Sequence, residues 1–110
     1  MRKAEVYRNY ELAGILKEEN KMSYVFRYVD LYFNDGTKPA ISLTLPKSRQ
    51  EYRSKILFPF FFNMLSEGAN RALQCNRLKI DTDDHFGLLT ATASSDTIGA
   101  ITVKPISEND

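Results

Sequence analysis

The chain has 110 residues, of which 43% are hydrophobic and 26% charged. That composition excludes a disordered segment, and the length suits one domain whose core closes without metal or disulfide help. With 15 basic and 14 acidic residues the net charge is +1, so no global basic field draws in nucleic acid.

Cys75 is the single cysteine and reads as a small buried apolar residue in a reducing compartment. The N-terminus, Met1-Arg2-Lys3-Ala4-Glu5-Val6-Tyr7-Arg8, has no apolar core of signal-peptide length. The longest apolar run, Ile56 to Phe62, falls far short of the ~20 residues that cross a bilayer. These features predict a cytoplasmic protein. Residues 1–106 are expected to form one domain, with 107–110 as a frayed tail.

In chain order, residues 4–8 and 12–16 predict two short strands, reversed at Asn9-Tyr10-Glu11. Residues 22–29 predict a third, with Tyr24, Phe26 and Tyr28 on one face and Ser23, Val25, Arg27 and Val29 on the other. Asn34-Asp35-Gly36 marks a turn. Pro39 to Leu45 alternates Ile41, Leu43 and Leu45 against Ser42 and Thr44, which predicts a fourth strand ended by Pro46. Lys47 to Arg53 reads as a polar connection.

The period then lengthens. Ile56, Leu57, Phe60, Phe61, Met64 and Leu65 share one helical face, and Ser54 suits the N-cap. Pro59 lacks a backbone donor, so the helix begins nearer Phe58 or is bent at its start. Gly68 breaks it, and Asn70 to Leu78 forms a second helix with Leu73 and Leu78 inward. Asp83 or Asp84 caps a short third helix through Leu89. Ile98 to Val103 is the last strand, closed by Pro105. Strands, then helices, then a strand predict an α+β fold: a mainly antiparallel sheet of about five short strands, with two or three helices inserted before the last.

Asp81, Asp83, Asp84 and His85 are the densest ionisable cluster. A metal or acid/base site is one reading, a polar loop of capping carboxylates the other; no second histidine supports a metal. Asp84-His85-Phe86-Gly87 has one residue too many for a kinase Asp-Phe-Gly element, and neither a catalytic loop nor a glycine-rich phosphate loop accompanies it. Nothing here predicts a catalytic residue, a cofactor or a metal, and the chain is not expected to be an enzyme. Lys47, Arg49, Arg53 and Lys55 flank Tyr52, a pattern open to single-stranded nucleic acid or to a solvated loop. Phe60 and Phe61 belong to the core face of the helix, whereas Phe58 and Phe62 lie on a second face beside Asn63. Two phenylalanines there are either covered by a neighbouring element or anchor a partner.

In order and spacing, Ser42 to Pro46, Phe60 to Gly68, Phe86 to Leu89 and Asp96 to Ala100 resemble the N-terminal subdomain of HipA-type serine/threonine kinase toxins. Ala13-Gly14-Ile15-Leu16 is similar to that family's Gly-x-Leu strand. The likeness covers nearly the whole chain. Ser66 departs from the family's usual Pro and Ser95 from its usual Gly; Pro59 and Phe62 stand where polar residues are common. The kinase body is absent from this sequence, so the resemblance implies a free-standing copy of the subdomain, similar to HipS antitoxins of three-gene HipBST modules. It implies a HipT-like Ser/Thr kinase toxin as partner and a HipB-like DNA-binding protein as third member of a ternary complex, with no direct DNA binding and no membrane. Phe58 and Phe62 are the expected apolar anchors, with Pro59 beside them and Asn63, Glu67 and Arg71 as polar contacts. A nucleic-acid-binding domain using Lys47 to Lys55, or a non-catalytic piece of a HipA kinase, are the alternatives.

Overall fold

The computed structural model describes residues 1–65, 68–93 and 100–106. Strands β1 (Arg2–Arg8), β2 (Glu11–Asn20) and β3 (Ser23–Tyr28) form a meander. Helix α1 (Asp30–Phe33), strand β4 (Glu51–Ser54), helices α2 (Pro59–Phe62), α3 (Gly68–Leu78) and α4 (His85–Thr92) and strand β5 (Ile101–Ile106) follow. The sheet order is β4-β3-β2-β1-β5, with every pair antiparallel. The expected α+β architecture, an antiparallel sheet with helices before the last strand, is what the chain forms.

Local chemistry fixes the meander. Arg8 pairs with Glu11, so Asn9 and Tyr10 alone make the first turn, with φ of 50° and 68°. Positive φ at both central residues is the hairpin geometry whose twist matches the flanking strands. Gly14 sits where a Cβ would lie 2.6 Å from the Phe26 ring and 2.7 Å from the Arg27 carbonyl; only glycine lets β3 close on β2 there.

Ala4, Val6, Leu16, Phe26, Tyr28 and Val103 turn one sheet face to the core, where Leu57, Phe61, Phe86, Leu88 and Leu89 meet them. Each large side chain so buried contributes roughly 1.5–3 kcal/mol. Tyr24, Phe26 and Tyr28, expected on one face of the strand, are all buried. α4 is held at both ends. The Asp84 carboxylate accepts from the Gly87 N–H at 3.0 Å, and the Ala93 carbonyl accepts from Val103 of β5 at 3.0 Å.

Several expected elements change. Pro39 to Leu45 is a turn-rich loop, not a strand. The Leu45 N–H donates to the Ser42 carbonyl at 3.2 Å, which brings Ile41 and Leu45 inward and leaves Leu43 99% exposed. The fourth strand lies instead at Glu51–Ser54, overlapping the end of the expected polar connection, and pairs with β3. The helix expected from Ile56 shrinks to Pro59–Phe62 with Pro59 in its first turn. Ser54 ends β4 rather than capping that helix, and its hydroxyl accepts from the Ile56 N–H at 3.2 Å. Leu73 and Leu78 are exposed, not inward, at 55% and 43%; Cys75 is the buried residue of α3 between them. The last strand is placed later than expected, and positions 98–99 and 107–110 lie outside the described residues.

A candidate docking groove beside helix α2

Proline fixes where α2 starts. The missing N–H of Pro59 costs nothing at the first helical position, and its φ suits the turn. Phe61 and Phe62 both donate to the Phe58 carbonyl, at 2.9 and 3.0 Å. The single turn that results sends its aromatic rings in different directions. Phe61 is fully buried against Phe26 and Phe60, and Phe58 is 7% exposed with its ring 6.3 Å from Phe61. Phe58 is therefore a core residue: as the residue before α2 it has φ of -54° and ψ of 137°, and its ring packs on Phe61.

Phe62 is different. It is half-buried at the edge of the core. The His85 ring meets it edge-on at 5.0 Å and 89°, and the Arg71 guanidinium lies over it at 5.3 Å. Pro59 and Asn63 are exposed beside it. Together with Ile56, Leu57 and His85 these residues line an open, largely apolar groove. Of the expected partner-contacting residues, Pro59, Phe62 and Asn63 thus come together, with Arg71 behind Phe62. Phe58 lies underneath, and Glu67 falls outside the described residues. Ile56, 66% exposed, and His85 complete the groove. Sequence spacing gave no sign of either, since Ile56 read as core and His85 as part of an acidic loop.

The groove opens at Ile56, Leu57 and His85 into a polar cleft that also holds Arg2, Glu18, Tyr24 and Asp84. Arg2 forms a two-pronged pair with Asp84, at 3.0 and 2.7 Å, and reaches Glu18 through Nε at 2.8 Å. The Arg2 guanidinium holds the Asp84 carboxyl below the usual carboxylate range, helped by the Gly87 N–H. Burial, followed by the hydrogen bond to Glu18, pushes the Tyr24 phenol up to about 12. Asp84 is thereby committed as a helix cap and ion-pair partner. Among the described residues no group of His, Cys, Asp and Glu is arranged to hold a metal ion.

The basic segment is engaged locally. The Lys47 ammonium donates to the carbonyls of Asp35 and Lys38, at 2.7 and 2.8 Å. Arg49 stacks over Tyr52 at 5.2 Å, and Arg53 lies 3.4 Å from both Glu19 and Glu51. Within the described residues no helix is long and apolar enough to cross a membrane.

Comparison with known proteins agrees with this architecture. No curated protein matches the chain. A solved structure described as the N-terminal domain of HipA toxin superposes with a TM-score of 0.71 at 22% identity, covering 98% of this chain and 95% of that one. At that identity the likeness concerns the fold. The family model for the HipA N-terminal domain matches residues 4–104, and on that match the chain belongs to the HipA N-terminal domain family.

Proposed function

We propose that this chain is the antitoxin of a HipBST-like toxin–antitoxin module and neutralises a HipT-like Ser/Thr kinase by binding it, without performing chemistry itself. Membership of the HipA N-terminal domain family supports the kinase as partner. The observation that carries the reading is the groove beside α2: an apolar floor of Leu57 and Phe62, with Ile56, Pro59 and Asn63 at its accessible rim. A buried aromatic anchor inside a partly polar rim is how protein interfaces concentrate their energy. Docking there restrains the kinase by covering its active site or by favouring an inactive state, which requires tighter binding to that state than to the active one.

The test is co-expression with the kinase-like protein encoded beside this chain, followed by affinity purification and a kinase assay. Stoichiometric co-purification with loss of kinase activity is expected. Phe62→Asp should release the kinase. Because Phe62 is half-buried, Ile56→Glu provides the second variant: Ile56 is exposed, so its replacement should leave stability within about 0.5 kcal/mol while weakening the complex. A kinase that neither co-purifies nor loses activity overturns the antitoxin reading. Full inhibition by both folded variants overturns the groove as its site.

A further inference from the structure

The sheet face turned away from the core carries a second feature. Strand register sets Lys3 of β1 directly opposite Lys17 of β2. Ile106 of β5 flanks Lys3 on the other side, and Arg27 of β3 stands opposite Ile15 of β2. These residues share the outer face, since Ala4, Leu16, Phe26 and Tyr28 between them point into the core. With Val29 and Asp30 they line one shallow cleft.

The charges of this face do not cancel within the cleft, where Asp30 alone faces Lys3, Lys17 and Arg27. Glu5 stands opposite Lys104 across β1 and β5, and Glu19 lies beside Arg53. Among the described residues Arg27 has only long contacts, 3.8 Å to Asp30 and 3.7 Å to Glu51. The Lys3 and Lys17 side chains have no ion-pair or hydrogen-bond partner among the described residues. Like charges directly opposite each other weaken a strand pair, so this arrangement works against the sheet that holds it.

We propose that this cleft is an interaction surface for an acidic, partly apolar segment of a partner protein. Lys3, Lys17 and Arg27 meet its carboxylates, and Ile15 and Ile106 take an apolar side chain between them. Charge complementarity selects the acidic partner. The aliphatic floor favours protein over nucleic acid, because the cleft presents no aromatic platform for successive bases; Tyr28, which borders the cleft, is fully buried with its hydroxyl bound to the Leu45 carbonyl. The proposal does not depend on the groove beside α2, which opens on the helical side of the sheet.

The experiment measures fluorescence anisotropy of a labelled ten-residue peptide alternating Glu and Val against the full chain. Binding is expected at low salt, weakening as ionic strength rises past the point where the Debye length is about 10 Å. Lys17→Glu should weaken it about tenfold and at the same time raise the thermal midpoint, because it places opposite charges across β1 and β2. Ile56→Glu, in the groove, should bind the peptide normally. The proposal is overturned by absence of binding at low salt, or by undiminished binding in Lys17→Glu. It is equally overturned if a pure Glu peptide binds as tightly, or if a single-stranded oligonucleotide binds more tightly through the same lysine.

Discussion

Tyr28 shows how much one hydroxyl organises. It donates to the Leu45 carbonyl and accepts from the Ile41 N–H at 3.1 Å, closing the neck of the loop between them. Its ring is fully buried, 4.9 Å from Phe26 and stacked 5.9 Å from Tyr32. Tyr28→Phe keeps the ring but strands both backbone groups, and should cost about 1–3 kcal/mol, read as a lower urea midpoint near neutral pH. Burial also pushes this phenol up to about 12 from 10.0. The unfolded chain therefore releases the proton first as pH rises, and the native state loses stability between the two values. That contribution is whole below pH ~10 and fades as pH passes ~12. Urea midpoints taken across that range should fall less steeply in Tyr28→Phe than in the unmodified chain. An unchanged slope would assign the alkaline loss to other groups, of which Tyr24, also pushed up to about 12, is the first to examine.

Helix α4 offers the corresponding case for an element, since it carries no charged Asp, Glu, Lys or Arg of its own and depends on its cap. Asp84 accepts from the Gly87 N–H and holds Arg2 of β1, tying the helix start to the sheet. Asp84→Ala should cost about 1–2 kcal/mol, most of it the cap, because Arg2 is half exposed and its ion pair is screened. A Cβ on Gly87 would come within 2.4 Å of the Asp84 carboxylate, so Gly87→Ala should dislodge the same cap. If both act through it, the double variant is little worse than either single one in denaturant titrations; additive losses would separate them. The Asp84 contribution is present above the ordinary carboxylate range and is lost as pH falls through its lowered folded value, so Asp84→Ala should also flatten the acid limb. The cap was legible in the sequence because it is local, as were the meander and the alternation of β3. The loop of 39–45 was not. Alternating Ile41, Leu43 and Leu45 suits a strand, but a turn also buries the first and last of these, and the distant Tyr28 hydroxyl decides between them. β4 was hidden for the opposite reason. Glu51-Tyr52-Arg53-Ser54 looks like a surface connection, and only the free edge of β3 makes it a strand. Phe58 shared its spacing with Phe62, yet Phe58 precedes the helix and is not helical, so its ring is buried while that of Phe62 stays at the groove.

At the scale of the whole molecule the near-balance of charge separates the possible modes of association. The net charge is +1, and the groove lining of Ile56, Leu57, Pro59, Phe62, Asn63 and His85 contains no Asp, Glu, Lys or Arg. Docking of the kinase there is driven by apolar burial, which moderate salt leaves nearly unchanged. Raising salt from about 50 to 300 mM should then alter the dissociation constant by less than about threefold. Binding of single-stranded nucleic acid through the Lys47 to Lys55 segment predicts a steep fall, about fortyfold over that range for ~three phosphate contacts. The internal engagement of Lys47 and Arg53 argues for the shallow slope. A kinase that also reaches the sheet face would add a salt-sensitive part through Lys3 and Lys17. Titrations of the unmodified chain and of Lys17→Glu at both salt concentrations resolve the two surfaces. A slope shallow in both confines the kinase to the groove, one steep only in the unmodified chain places an acidic segment of the kinase on the sheet, and one steep in both rejects docking driven by the groove.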